Sequence, residues 1–132
     1  MEASLKDGIE TILVGDDNEA IRDVAKANLE SLGYRVFTAP DGAAALEIFA
    51  RERGQIDLLL LDVVMPNLNG PDAYARMLEI KPGTPVLFIT GYAAEPTVDR
   101  LRSCDGVVIL QKPYSPLYLA QKVRQLLDAK HC

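Results

Sequence analysis

The chain has 132 residues, 48% of them hydrophobic and 25% charged, the size and balance of one soluble domain with enough apolar residues to bury a core. Its formal net charge of -5 and the lack of any basic run disfavour direct nucleic-acid binding or insertion into an anionic membrane, so cations and proteins are the expected partners. The two cysteines, Cys104 and Cys132, stand in no metal-ligand spacing, and residues 1–10 hold no continuous apolar stretch, so no disulfide framework, zinc site, leader or span is expected and a cytoplasmic location fits.

Short apolar runs alternate with helical spacing along the chain. Thr11-Ile12-Leu13-Val14 reads as a strand, followed by a helix whose inner face is Ile21, Val24, Ala25, Leu29 and Leu32 and which Gly33 ends. A β-rich run over 34–39 precedes Pro40-Asp41-Gly42, which turns into a helix with Ala45, Leu46 and Phe49 inward, closed near Gly54. Residues 56–61, almost all apolar, predict a third strand. Asn69-Gly70-Pro71 then opens a helix carrying Ala73, Tyr74, Met77 and Leu78, broken at Lys81-Pro82-Gly83. The fourth strand spans 85–90, a weaker helix follows over about 95–103 on Val98 and Leu101, and the fifth strand spans 107–110. Ser115-Pro116 starts a last helix with the stripe Leu119, Val123, Leu126 and Leu127.

Five strands alternating strictly with five helices predict an α/β fold, one doubly wound parallel sheet in the flavodoxin-like order 2-1-3-4-5. The whole of 1–132 reads as one domain, with its core over about 11–127. In such sheets sites lie beyond the carboxyl ends of the strands. Four signals fall there: Asp16-Asp17 after strand one, Asp62 after strand three, Thr90-Gly91 after strand four and Lys112-Pro113 after strand five. Three carboxylates in one small pocket repel one another unless a cation neutralises them, and a hard, oxygen-lined site of this kind suits Mg²⁺. Thr90 and Gly91 offer a hydroxyl and an unobstructed N–H for a phosphoryl oxygen, and Lys112 an ammonium, which a cis proline would direct inward. Each signal also has a bland reading, as turn former, helix cap or solvated lysine; their coincidence at one sheet edge is what favours a site.

The stretches Ile12-Leu13-Val14-Gly15-Asp16-Asp17, Leu61-Asp62-Val63-Val64-Met65-Pro66 with Gly70, Thr90-Gly91 and Lys112-Pro113-Tyr114 together resemble the receiver domain of two-component response regulators. The resemblance implies a phosphorelay: Asp62 takes a phosphoryl group from a phosphohistidine on a sensor histidine kinase or phosphotransfer protein. It further implies that Asp16, Asp17, Asp62 and the backbone carbonyl of Val64 hold Mg²⁺. Lys112, Thr90 and the N–H groups of Val63 and Gly91 would receive the phosphoryl oxygens. Such a chain is a phosphoacceptor that catalyses its own phosphorylation and dephosphorylation rather than a turnover enzyme. Thr90 would then bias the face of the fourth helix, fifth strand and fifth helix toward a downstream protein target or a homodimer. Many receivers carry an aromatic switch residue three positions before the lysine, where this chain has Ile109; Gly15 and Val64 also depart from the commoner residue types.

Three other readings share parts of this pattern. An FMN carrier would want a hydroxyl- and glycine-rich loop where Gly15-Asp16-Asp17-Asn18-Glu19 stands. A haloacid-dehalogenase-like phosphatase would want a second carboxylate at Val64. A pseudo-receiver, an interaction module of the same fold that is never phosphorylated, is the alternative from a different class. The sequence style is similar to receivers at the C-terminus of hybrid sensor histidine kinases, so an excised hybrid domain and a free-standing protein are both compatible with it.

Overall fold

The computed structural model describes residues 10–52, 54–91 and 106–129. In chain order the elements are β1 (Thr11–Gly15), α1 (Glu19–Glu30), β2 (Arg35–Ala39), α2 (Gly42–Arg51), β3 (Leu58–Asp62), α3 (Gly70–Ile80), β4 (Val86–Thr90), β5 (Val107–Gln111) and α4 (Pro116–Asp128). The five strands pair in parallel in the order β2-β1-β3-β4-β5, as the alternation predicts. Among the described residues there are four helices, and the helix expected over about 95–103 lies outside them. None of the four is long and apolar enough to cross a membrane.

All four helices begin on a side chain that accepts a backbone N–H of the first turn: Asn18 from Ile21, Asp41 from Ala44, Asn69 from Asp72 and Ser115 from Tyr118. Alternate strand residues then supply two apolar layers. Leu13, Leu59, Leu61, Val86 and Phe88 pack with Ala45 and Phe49 of α2 and with Ala73 and Met77 of α3. Ile12, Val14, Leu58, Leu60, Leu87, Ile89 and Leu110 pack with Ala25 and Leu29 of α1 and with Leu119, Val123 and Leu126 of α4. At roughly 2 kcal/mol for each fully buried leucine, the four leucines of β3 outweigh the several kcal/mol that withdrawing the carboxylate of Asp62 from water costs.

Two details depart from the sequence reading. Val24, expected on the inner face of α1, is 60% exposed while Ala25 and Leu29 are buried. At about 100° per residue it sits about 100° from Ala25 and about 140° from Leu29, so turning those two to the sheet leaves Val24 outside. β3 begins at Leu58 rather than Ile56 and ends on Asp62 itself. The Asp57 carboxylate accepts the Thr11 N–H at 2.9 Å, so a side chain takes the place of a ladder carbonyl there.

The edge of the sheet opposite Asp62 is tied by Arg124 of α4. Its guanidinium donates to Glu10 at 2.8 Å, to the Tyr34 hydroxyl at 3.2 Å and to Asp128 at 2.8 Å, and these partners raise its pKa, the hydrogen bond to Glu10 most of all. Arg124 and Asp128 are thereby paired within the chain.

Candidate phosphoacceptor site

Ile12, Val14 and Asp16 alternate along the first strand and its extension, as do Leu58, Leu60 and Asp62 along β3 and Val108, Leu110 and Lys112 along β5. Period-two alternation therefore brings two carboxylates and an ammonium to one sheet face, one step beyond the apolar layer under α1 and α4. The structure joins them: Lys112 Nζ lies 3.1 Å from Asp62 Oδ2 and 3.8 Å from Asp16 Oδ2. Asp17 completes the cluster, with one carboxylate oxygen from each of Asp16, Asp17 and Asp62 within 4.8 Å of the others. Asp16 and Asp62 are buried and Asp17 is exposed.

Asp16 is held by its surroundings on every side. Its N–H donates to the Ala39 carbonyl at 3.1 Å, its Oδ1 accepts the Asn18 N–H at 2.9 Å, and Arg22 donates to its carbonyl at 2.7 Å. Burial raises its pKa, opposed by the Asn18 hydrogen bond, and the charges of Asp62 and Asp17 raise it further against the pull of Lys112. For Lys112, burial works against the charge, but the hydrogen bond and charge of Asp62, with Asp16 behind it, leave the pKa raised. Three carboxylates against one ammonium leave two negative charges to be compensated, a donor set of hard oxygens that suits a small divalent cation.

Thr90 ends β4, buried, one position beyond Ile89, the register partner of Asp62. Its carbonyl accepts the Lys112 N–H at 2.8 Å, which locks the start of the loop after β5 to β4, and the Lys112-Pro113 bond is cis, as anticipated. Gly91 is exposed beside it. Ile109 pairs with Phe88 and packs partly buried against the other apolar layer.

The role expected of Val63 needs correction. Its N–H donates to the Ile89 carbonyl at 2.9 Å, continuing the ladder past Asp62, so it is committed to the sheet. The N–H turned toward the Asp62 carboxylate is that of Val64, 3.3 Å from Asp62 Oδ1. Sequence reasoning also missed Asn18 and Arg22. The Asp-Asp-Asn run signalled a helix cap, and the cap residue turns out to brace Asp16 through its own N–H.

A groove of about 390 Å³ borders the site where Lys112, Pro113 and Tyr114 face Ile21, Val24 and Leu119. It is mostly apolar, and Val64, 64% exposed, adds another apolar side chain next to Asp62.

Residues 12–124 match the family model described as the response regulator receiver domain. Among curated proteins, the chain is 36% identical over 121 residues to the response regulator receiver protein CpdR of Brucella abortus, covering 89% of this chain and 96% of that one. It is 33% identical over 121 residues to the sensor kinase CckA of the same organism, covering 92% of this chain but only 13% of the kinase. It likewise spans 45% of the probable transcriptional regulator ycf27 of Galdieria sulphuraria. Of solved structures, the receiver domain from the hybrid histidine kinase CckA superposes with a TM-score of 0.77 at 37% identity, over 89% of this chain and 99% of that one. A CheY-like receiver domain from Methanospirillum hungatei gives 0.80 at 28% identity, over 92% and 95%. With fold, acidic cluster and lysine in place, the chain belongs to the response regulator receiver domain family of two-component signalling.

Proposed function

We propose that Asp62 accepts a phosphoryl group from the phosphohistidine of a sensor histidine kinase or phosphotransfer protein. The observation that carries this is the ammonium of Lys112 at 3.1 Å from a buried carboxylate that shares its pocket with two more. An Asp62 oxygen attacks phosphorus as the P–N bond to the donor imidazole breaks. The imidazole nitrogen keeps that electron pair, and the product is an acyl phosphate on Asp62. Lys112 meets the charge on the phosphoryl oxygens, with the Thr90 hydroxyl and the N–H groups of Val64 and Gly91 as further donors. Asp16, Asp17, Asp62 and the Val64 carbonyl would hold Mg²⁺, which when bound neutralises the carboxylates and a phosphoryl oxygen together. The response is read, on this proposal, by a protein target or second copy on the face of β5 and α4, where Leu117 and Tyr118 are exposed.

The test is incubation with a small phosphodonor such as acetyl phosphate, with and without Mg²⁺. The expected result is a Mg²⁺-dependent mass gain of one phosphoryl group, labile to hydroxylamine and mapped to the peptide that contains Asp62. No gain from acetyl phosphate or from any histidine kinase would instead favour the phosphorylation-independent pseudo-receiver.

Lys112, 3.1 Å from Asp62, lines the apolar groove together with Val24, so a protein that delivers phosphate to Asp62 is expected to cover Val24 as well. With a kinase that phosphorylates the wild-type chain, Val24→Glu is expected to slow transfer by about tenfold, since a charge at the edge of an apolar contact has to be desolvated. Uptake from acetyl phosphate should be unchanged. Equal slowing with both donors would move the docking face elsewhere.

A further inference from the structure

The segment 39–42, where β2 turns into α2, braces both halves of the acidic site. On one side the Ala39 carbonyl accepts the Asp16 N–H at 3.1 Å. On the other it seats the loop over 63–69, which carries the N–H and carbonyl of Val64. Asn67 Nδ2 donates to Asp41 Oδ2 at 2.7 Å, while Asp41 Oδ1 accepts the Ala44 N–H at 2.7 Å and so caps α2. Beside that contact the Leu68 carbonyl lies so close to Gly42 that a β-carbon there would collide with it.

The loop has little slack between this seat and the acceptor. At its start Val63 continues the β4 ladder, and at its end the Gly70 N–H returns to the Val63 carbonyl at 3.0 Å. Met65 is buried against β1 at Gly15, where a β-carbon would come within 2.9 Å of Leu61 Cδ2 and 3.5 Å of the Met65 sulfur. Asn67 has φ 68°, a left-handed conformation that glycine would adopt more readily. Asparagine is, after glycine, among the residues most readily found there, and the bond to Asp41 gives its amide a second role beyond the turn.

We propose that Asp41 and Asn67 form a latch that sets the position of the Val64 carbonyl and N–H against Asp62, which makes both of them positioning residues of the metal and phosphoryl site. The inference rests on the reading of Asp62 as acceptor and of the Val64 carbonyl as a metal ligand. Asn67→Gly keeps the backbone conformation and removes the latch; Asn67→Asp sets a carboxylate against Asp41. Adding Asp41→Asn to Asn67→Asp reverses donor and acceptor while retaining a good N-cap for α2.

The initial rate of phosphorylation by acetyl phosphate is followed against Mg²⁺ concentration, alongside unfolding midpoints. Both single variants at position 67 are expected to need about tenfold more Mg²⁺ for half-maximal rate, the loss of one charge-assisted hydrogen bond. The reversed pair should return to within about twofold of wild type. Unfolding midpoints that fall while the Mg²⁺ requirement stays constant would overturn the latch and leave a structural contact, as would a reversed pair that fails to recover. Mg²⁺ titration followed by amide chemical shifts reads the same ranking without any phosphodonor. A wild-type chain that binds Mg²⁺ but takes no phosphoryl group therefore counts against the acceptor reading and not against the latch.

Discussion

Asp62→Asn is expected to abolish Mg²⁺-dependent phosphoryl uptake from acetyl phosphate, and Lys112→Ala to slow it by about 10²–10³-fold, the usual cost of removing one preorganised charge donor. On the proposed function, the two substitutions separate the nucleophile from the electrostatic clamp. An amide at position 62 keeps the size of the side chain but offers phosphorus no carboxylate oxygen, so no donor concentration restores uptake. Lys112→Ala leaves Asp62 intact and removes the ammonium 3.1 Å from it, so the reaction persists without charge neutralisation from that side. Lys112→Arg should recover little. The guanidinium is a planar fork, whereas the site holds a compact ammonium between Asp62 and Asp16 at 3.1 and 3.8 Å. Wild-type rates in Lys112→Ala would remove the lysine from the reaction. Uptake surviving in Asp62→Asn would place the acceptor at another residue.

The sheet order and the meeting of Asp16, Asp62 and Lys112 were legible because they follow from two periodic rules, and Asp17 came with them as the next residue of the same loop. Strand-helix alternation fixes which loops share an edge, and period-two alternation fixes which face a side chain takes. What was not legible depends on contacts that neither period encodes. Whether the N–H of Val63 or that of Val64 faces the Asp62 carboxylate is decided by how far the ladder runs past Asp62, and it runs one residue further, to the Ile89 carbonyl. Val24 carried the right spacing but lies on the shoulder of α1, outside the stripe of Ala25 and Leu29. The pairing of Asp41 with Asn67, 26 positions away, needs the approach of two loops, and in the sequence each residue has a complete local explanation as cap or turn former.

Asp16→Asn is expected to invert the relation between metal and stability. Asp16 sits 4% exposed among two other carboxylates, so in metal-free protein its charge is held against burial and against Asp62 and Asp17. Its pKa is therefore above the ordinary value of 3.8 in the native state. A raised native pKa means that the folded protein binds the proton more tightly than the unfolded chain. Metal-free stability is then greatest below pH 3.8 as far as this group is concerned, falls as the pH rises through the native pKa, and stays at the lower level above it. Asparagine retains an oxygen for the Asn18 N–H and removes the charge, so in chelator the variant should melt higher than wild type, by about 4 °C for each kcal/mol of relieved repulsion, and should lack this pH-dependent decline. Mg²⁺ should act in the opposite sense. At a hundredfold excess over its dissociation constant it should stabilise wild type by about 2.7 kcal/mol, and in Asp16→Asn that gain should largely disappear because a proposed ligand carboxylate is gone. Thermal melts in chelator and in Mg²⁺ at several pH values read both effects. A variant that melts lower in chelator would mean that Lys112 and Asn18 already compensate the Asp16 charge, and an undiminished Mg²⁺ shift would take Asp16 out of the metal site.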